Sequence, residues 1–241
     1  MRKIEGKMMI NFVMAILLLL SMMYALIGEK THEYIGTILI VLFITHNILN
    51  ISWYKNLCKG NYNLFRTFNT LINILLLLFL ISIFVSGMIF ASYTPDSLKT
   101  VKALSWARFS HMMGAYWGFI LISCHLGLHL QMINAFIKKK FHSVPIYLWK
   151  ILKFANFLVA IYGIVAFLEQ DMFSYLLMQN EFAFFDNSQS IVKFLFDYVA
   201  MMIMCICFMQ YLLKAINYAD KKCKNVQRIK ENTVRLGREK I

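Results

Sequence analysis

Proline, glycine and acidic residues are scarce in this 241-residue chain. Two prolines, ten glycines and 12 Asp and Glu stand beside a composition that is 60% hydrophobic. With so few breakers and charges the apolar runs stay long and continuous, which a soluble domain does not sustain. The runs also lack the alternation of apolar and polar residues that barrel strands need, which leaves helices as the structure that satisfies the backbone in lipid. The sequence predicts an all-α membrane protein.

Six apolar runs are long enough to cross a bilayer as helices, for which about 18 residues suffice. They lie at 8–27, 35–52, 67–91, 110–133, 147–168 and 191–213. The first run is not followed by a small-residue cleavage site, so we expect a retained helix and not a signal peptide. The chain is therefore predicted to be polytopic, with six transmembrane helices.

Lysine and arginine are distributed unevenly between the two sides of these spans. With the N-terminus in the cytoplasm, the inner segments hold 20 Lys and Arg against 4 acids, and the outer segments hold 5 against 7. This asymmetry orients all six spans and places both termini in the cytoplasm. The basic tail, 218–241, is expected to fix the topology or to touch anionic lipid. Nucleic acid is not an expected partner despite the net charge of +13.

Two pairs of histidines occur with one spacing inside an internal repeat. His46 follows His32 by 14 residues, and His125 follows His111 by the same interval. Each pair comes after an apolar helix that opens with Ile-Asn, so the segments 8–52 and 67–133 look like two copies of one helix pair.

The 14-residue interval has a geometric meaning. It corresponds to a rise of about 21 Å, and it returns nearly to the same helix face. The second and fourth spans run in the same direction, so His32 is expected level with His111, and His46 level with His125. Two imidazoles that face each other across a bundle can bind one iron axially from both sides.

The spacing therefore predicts two stacked b-type haems in a four-helix bundle. The outer iron would be bound by His32 and His111, and the inner iron by His46 and His125. The chain has no Cys-x-x-Cys-His motif, so covalent haem attachment is not indicated. A zinc or copper site would gather its ligands within a few Å instead of on two distant levels.

His129 leaves the inner ligand open. It lies one helical turn beyond His125 on nearly the same face, so it could replace His125. The repeat favours His125, because Asn50 stands in the first copy where His129 stands in the second. His129 would then be free to contact a propionate, a quinone or a proton path.

Several glycines on the same faces could let a flat macrocycle approach the backbone. Gly118 lies midway between His111 and His125. Gly36 and Gly114 could act near the outer haem, and Gly87 could act from a neighbouring helix. The alternative is that Gly114-x-x-x-Gly118 is a helix-packing motif.

Basic residues near the ends of the bundle could bind the haem propionates. Lys102 and Arg108 are the candidates at the outer haem, and Lys55 and Arg66 at the inner one. Each could equally be a solvated, lipid-contacting or topology-determining residue.

The stretches "GEKTHEYIGTILIVLFITHNILNISWYKNLCKGNYNLFR" and "SHMMGAYWGFILISCHLGLHL" resemble the flavinylation-associated cytochromes, a family of small bacterial membrane proteins. The motifs that carry the resemblance are H-E-x-x-G, H-N-x-x-N-x-x-W-Y and H-x-G-L-H, and the likeness covers about residues 8–133. It implies b-type haem and electron transfer across the bacterial inner membrane, often toward an extracytosolic flavoprotein. The family pattern implies axial ligation by His32, His46, His111 and His125. The histidine pairs are also distantly similar to those of cytochrome b in quinol-oxidising complexes.

The expected organisation has three parts. Residues 1–137 form the four-helix haem-binding bundle, 138–217 add two spans with an outer loop, and 218–241 form the basic cytoplasmic tail. The leading hypothesis is an electron-transfer subunit, without catalytic residues of its own, that carries electrons from a quinol or an inner donor to an outer acceptor.

Two other hypotheses stay open. One is a quinone-linked or ferric-reductase-like oxidoreductase with a pocket near Asp197, a residue expected to pair with Lys193 four residues earlier. The other is a haem-free transporter or sensor that uses the histidines as proton carriers.

Overall fold

The computed structural model describes residues 2–140, 145–179 and 190–238, and within these ranges all regular structure is helical. The all-α prediction is confirmed. Parts of the predicted connections, 141–144 and 180–189, and the chain ends at 1 and 239–241 lie outside the described residues. The helices, in chain order, are α1 (Arg2–Ser21), α2 (Tyr24–Ile27), α3 (Glu29–Leu49), α4 (Ile51–Lys55), α5 (Leu64–Phe90), α6 (Val101–Lys140), α7 (Ile146–Glu169), α8 (Met172–Leu176) and α9 (Ile191–Arg238). A short 3₁₀ turn at Asp96–Leu98 lies between α5 and α6.

Five of these helices are long and apolar enough to cross a membrane. The qualifying segments are Glu29–Leu49, Leu64–Phe90, Val101–Lys138, Ile146–Glu169 and Ile191–Asp220. They correspond to the last five predicted runs, so the chain has the helices of a multi-pass membrane protein. α6 and α9 extend well beyond the apolar runs that they contain, to 40 and 48 residues.

The first predicted run does not form one helix. It is divided between α1 and α2 by a turn at Met22 and Met23, and α1 is not among the five candidate spans. The hydroxyl of Ser21 donates to the Leu18 carbonyl at 2.7 Å, and the amide of Met23 donates to the Leu20 carbonyl at 3.1 Å. Both bonds tighten the last turn of α1 and end it. The turn buries Met22 and Met23 in the protein core.

Two local features start the helices that carry the histidines. Gly28 has φ +79°, a conformation that residues with a side chain rarely adopt, and it turns the chain from α2 into α3. The side chain of Asn63 accepts a hydrogen bond from the amide of Arg66 at 2.8 Å and caps the start of α5. α1 then packs on α3, and α5 packs on α6, so each predicted repeat forms a hairpin of two long helices.

The remaining helices build a close-packed core against one face of α6. Gly127 of α6 lies against Met209 of α9, and Gly163 of α7 lies against the backbone of Ala200. These small residues let the helices approach closely. The core cluster consists of Met22, Met23, Tyr116, Phe119, Ala166, Met172, Tyr175, Phe194, Tyr198, Met201 and Met202.

Candidate cofactor-binding cavity

A cavity of about 1570 Å³ lies between the two hairpins, enclosed by α1, α3, α5 and α6. Small-molecule pockets usually measure about 300–1,000 Å³, and protein interiors are otherwise close-packed. α3 has no buried residue, although it packs on α1, because much of its inner face borders this space. The walls are mainly apolar, and five histidines project from them: His32, His46, His111, His125 and His129.

The histidines that the spacing predicts to be level do lie close together at one end of the cavity. The ring centres of His32 and His111 are 6.0 Å apart, and the ring planes meet at 68°. Two imidazoles that bind one metal from opposite sides have ring centres roughly 6 Å apart if each metal–nitrogen bond is about 2 Å. We call this pair the His32 level. Its separation fits an axially ligated metal.

The two imidazoles of the His32 level differ in their hydrogen bonds. The Nδ1 of His111 lies 3.2 Å from the hydroxyl oxygen of Ser86, which donates its own proton to the Ser82 carbonyl at 2.7 Å. The hydroxyl oxygen therefore accepts from His111. The Nδ1 of His32 is buried and has no hydrogen-bond partner among the described residues. The Ser21 carbonyl interacts with this imidazole, but it does not meet the geometry of a hydrogen bond.

At the other end of the cavity each predicted ligand is bound by an asparagine. Asn11 Oδ1 lies 2.7 Å from Nδ1 of His46, and Asn73 Oδ1 lies 2.8 Å from Nδ1 of His125. An amide oxygen can only accept, so Nδ1 carries the proton and Nε2 has the lone pair that a metal would bind. We call these groups, together with His129, the His46 level.

These two asparagines occupy matching places in the two hairpins. Asn11 in α1 and Asn73 in α5 are the asparagines of the two Ile-Asn dipeptides that mark the repeat. Sequence reasoning used the dipeptides as landmarks of the repeat and missed their contact with the histidines. The signal was present, since a polar residue recurs at one position of two otherwise apolar helices.

His129 belongs to the same level but lacks an asparagine partner. Its ring centre lies 4.7 Å from that of His125, and His46 interacts electrostatically with both imidazoles. In the first hairpin the matching residue is Asn50, whose Nδ2 lies 3.4 Å from Nε2 of His46. His46 and His125 thus share a kind of hydrogen-bond partner that the described residues do not give His129, and all three imidazoles line the same cavity.

One lysine that sequence reasoning did not single out lines the cavity at the His46 level. Lys7 of α1 donates to the Leu49 carbonyl at 2.6 Å and to Oδ1 of Asn50 at 3.2 Å. The basic residues predicted for this end lie elsewhere. Arg66 donates to the carbonyls of Asn56 and Lys59 in the α4–α5 connection, and Lys55 does not line the cavity. Of the described residues, Lys7 is the cation that lines the cavity at this level.

Of the two cations predicted near the outer haem, one reaches the cavity. Arg108 lines it at the His32 end. Lys102 is exposed near the start of α6 and does not line it. The two residues are six positions apart on α6, about 1.7 turns, so they lie on different faces of the helix. The sequence around them does not show which face borders the cavity.

The four predicted glycines divide into two pairs. Gly36 and Gly87 line the cavity; a Cβ on Gly36 would meet nothing within 4 Å, and a Cβ on Gly87 would lie 3.5 Å from Cε1 of His111. Gly114 and Gly118 do not line it and instead face α5, where added Cβ atoms would lie 2.5 Å and 3.3 Å from the side chain of Ile83. Their position agrees with the helix-packing motif, and haem contact by these two glycines stays a prediction.

A second polar group, built on a buried carboxylate, lies outside the cavity between α7 and α9. Asp197 is fully buried and accepts hydrogen bonds from the Tyr162 hydroxyl at 2.7 Å and from Gln170 Nε2 at 2.9 Å. The predicted pairing of Asp197 with Lys193 is wrong. Lys193 forms an ion pair with Glu169 at 3.3 Å, because both lie at the exposed end of the helix pair while Asp197 faces its interior.

The fold and the cavity define a class of molecule. Within the described residues there are five helices able to cross a membrane, and two helix hairpins border an apolar cavity lined by histidines. Comparisons with protein-family models, with curated proteins and with solved structures found no match. The functional conclusion therefore depends on the geometry of the cavity and on its histidines.

Proposed function

We propose that this chain is a transmembrane b-type dihaem cytochrome that passes electrons across the bacterial inner membrane. The observation that carries the proposal is a cavity of about 1570 Å³ with histidines from two matching helices at each of two levels. Buried ionisable side chains in membrane helices are usually functional, and here they recur at matching positions. The resemblance of residues 8–133 to the flavinylation-associated cytochromes supports the same function.

The residues present fit two haems. His32 and His111 would bind one iron, and Nδ1 of His32 is buried without a hydrogen-bond partner in the part of the chain that the structure describes. His46 and His125 would bind the other through Nε2, which keeps its lone pair because Nδ1 carries the proton; the long contact of 3.4 Å from Asn50 Nδ2 to Nε2 of His46 would give way to the metal. When bound, haem b supplies a one-electron iron couple. The chain would contribute the imidazole nitrogens that hold the iron and apolar walls that exclude water, which together would tune the potential of that couple.

A cation lines the cavity near each end. Lys7 lies at the His46 level and Arg108 at the His32 end, where Glu29 and Glu33 also line the cavity. Charge-assisted hydrogen bonds from these cations to propionates would hold each macrocycle in one orientation. The charged side chains at both ends favour an amphipathic cofactor over a purely apolar one.

Six spans are proposed, with α1 as the sixth. α1 packs along α3 and forms one wall of the cavity, so a bundle that crosses the membrane requires α1 to cross with it. The excess of Lys and Arg on alternate connections then places both termini in the cytoplasm. A quinol or a cytoplasmic donor would reduce the protein, and an extracytosolic protein, such as one that carries flavin, would oxidise it.

The direct test is the haem content of the full chain. We expect protein expressed with ample haem supply and purified in detergent to show a b-type reduced-minus-oxidised spectrum, with two haems per chain by pyridine haemochrome. A preparation without a Soret band would overturn the proposal and favour a haem-free transporter or sensor. Quinol oxidation by the purified chain alone would instead favour a membrane oxidoreductase.

Single histidine variants test the pairing. We expect His32→Ala and His111→Ala to lose the same haem and to keep the other, because each removes one axial ligand of one iron. His46→Ala and His125→Ala should lose the second haem. His129→Ala is the matched control and should retain both. The ligand assignment is wrong if His129→Ala loses a haem that His125→Ala keeps.

A further inference from the structure

We infer that Asn11 and Asn73 are positioning residues that hold His46 and His125 with Nε2 available to the metal and that lower the reduction potential of iron bound between them. This inference rests on the proposed function, because it concerns the same cavity. It assigns to two asparagines a role that neither the motifs nor the histidine spacing indicate. It also makes the two ends of the cavity chemically unequal.

The geometry of the two hydrogen bonds leaves little freedom. Asn11 and Asn73 reach the imidazoles at 2.7 Å and 2.8 Å, and each comes from the other helix of the same hairpin. A ring bound at Nδ1 cannot rotate about its Cα–Cβ bond without losing the hydrogen bond. Each asparagine therefore fixes both the tautomer and the orientation of one ligand.

The same bonds change the chemistry of the ligand. An imidazole that donates Nδ1–H to a good acceptor becomes more electron-rich at Nε2 and binds a metal more strongly. The higher charge of ferric iron gains more from this than ferrous iron does. Hydrogen bonds in the second shell of a haem are one of the means by which a protein sets its reduction potential. Both ligands of the His46 level are strengthened in this way.

At the His32 level neither imidazole is bound by a side-chain amide oxygen of the described residues. His111 lies 3.2 Å from the Ser86 hydroxyl and interacts with the Ile83 carbonyl. Nδ1 of His32 has no hydrogen-bond partner among the described residues, although the Ser21 carbonyl interacts with the ring. Charged side chains act in addition, since Lys7 lines the His46 end and Glu33 and Arg108 line the other. Substitution of the asparagines leaves these charges in place, so it isolates the contribution of the amides.

A redox titration of the purified full chain, followed by haem absorbance, tests the inference. We expect two potentials in the wild type, and the His46→Ala variant identifies the one that belongs to the His32 level. Asn11→Leu and Asn73→Leu should each shift the other potential upward, with a larger shift in the double variant. Asn11→Asp and Asn73→Asp keep an acceptor oxygen and should leave that potential at or below its wild-type value.

The outcomes are distinguishable from a failure of the proposed function. Wild-type protein without haem would overturn both. Two haems with unshifted potentials in the leucine variants would overturn only the role of the asparagines. If the leucine variants lose one haem, retention of that haem by the aspartate variants supports positioning, and its loss in those variants contradicts it.

Asn47 provides the matched control. It lines the same cavity next to His46, but its side chain bonds to the Phe43 carbonyl and to the Tyr54 hydroxyl and not to an imidazole. Asn47→Leu should leave both potentials unchanged. A shift as large as that of Asn11→Leu would mean that general polarity, and not the imidazole hydrogen bond, sets the potential.

Discussion

α6 lies between two regions of the molecule, one closely packed and one that contains the cavity. On one side, Phe119 of α6, Ala166 of α7 and Met201 of α9 are wholly buried against one another. On the other side, between the two hairpins, α3 has no buried residue and a large space is left between the helices. In the first region the side chains of the protein fill the space between the helices. In the second region a bound group would supply the contacts that the helices lack.

α6 contributes residues to both regions. Phe119 and Ser123 of α6 are buried, and His111 and His125 of the same helix line the cavity. A rigid packed face gives the opposite face a fixed position, which a ligand set on two levels requires. The packed region therefore acts as a support for the cavity, and substitutions in the two regions should have different consequences.

The largest effect is expected at Gly163, in the packed region. A Cβ added there would overlap the backbone of Ala200 and lie 2.9 Å from Cβ of Met204. Because backbone cannot move aside as a side chain can, we expect Gly163→Ala to cost about 3 kcal/mol of stability. Thermal unfolding in detergent measures the loss.

The matched substitution in the cavity region is Gly36→Ala. A Cβ there meets nothing within 4 Å, so the change in stability of protein expressed without haem supply should stay within about 1 kcal/mol. Equal losses for the two variants would contradict the contrast between the regions.

An intermediate effect is expected at Asp197. Asp197→Ala leaves the Tyr162 hydroxyl and the Gln170 amide without their acceptor inside the packed region. We expect a loss of about 1–2 kcal/mol, as for hydrogen-bonded groups between membrane helices. Asp197→Asn keeps one acceptor oxygen and should lose less. Haem content should be unchanged in both, and a selective loss of haem would show that the two regions are coupled.

The smallest effect is expected at Glu33, which joins the hairpins at the His32 end. Its carboxylate accepts from the amide of Ser92 at 3.0 Å and from the hydroxyl of Ser92 at 2.9 Å. The contact faces solvent, so Glu33→Ala should cost less than about 1 kcal/mol. Thermal unfolding, with Ser92→Ala as the partner variant, measures it. A loss as large as that of Gly163→Ala would mean that the cavity region depends on this contact.

Much of the helical layout could be predicted from the sequence, because apolar runs of span length report directly on helices in lipid. The break at Met22 and Met23 could not, since methionine is apolar whether it continues a helix or fills a core. The packing of Gly118 against α5 could not be predicted for a related reason. Spacing gives the face of a helix only approximately, and it does not say whether a neighbouring helix or an open space lies opposite.

The side chains around the histidines were harder to predict than the histidines themselves. The interval from His32 to His46 recurs from His111 to His125, so it can be recognised in the sequence. The structure places the ring centres of His32 and His111 6.0 Å apart. Lys7 stands in a charged helix start that looks like an ordinary topology signal. Only the folded hairpin, which joins the start of α1 to the end of α3, brings Lys7 to the cavity.

The pairing of His32 with His111 joins equivalent positions of two similar segments, as a two-fold axis does in a symmetric dimer. In such a dimer every substitution would appear on both sides at once. Within a single chain the two sides can diverge. Asn50 stands in one segment where the other has His129, and the hydroxyl of Ser86 serves only one of the two facing imidazoles. Because both segments belong to one chain, their sequences can differ, whereas the two subunits of a homodimer have the same sequence.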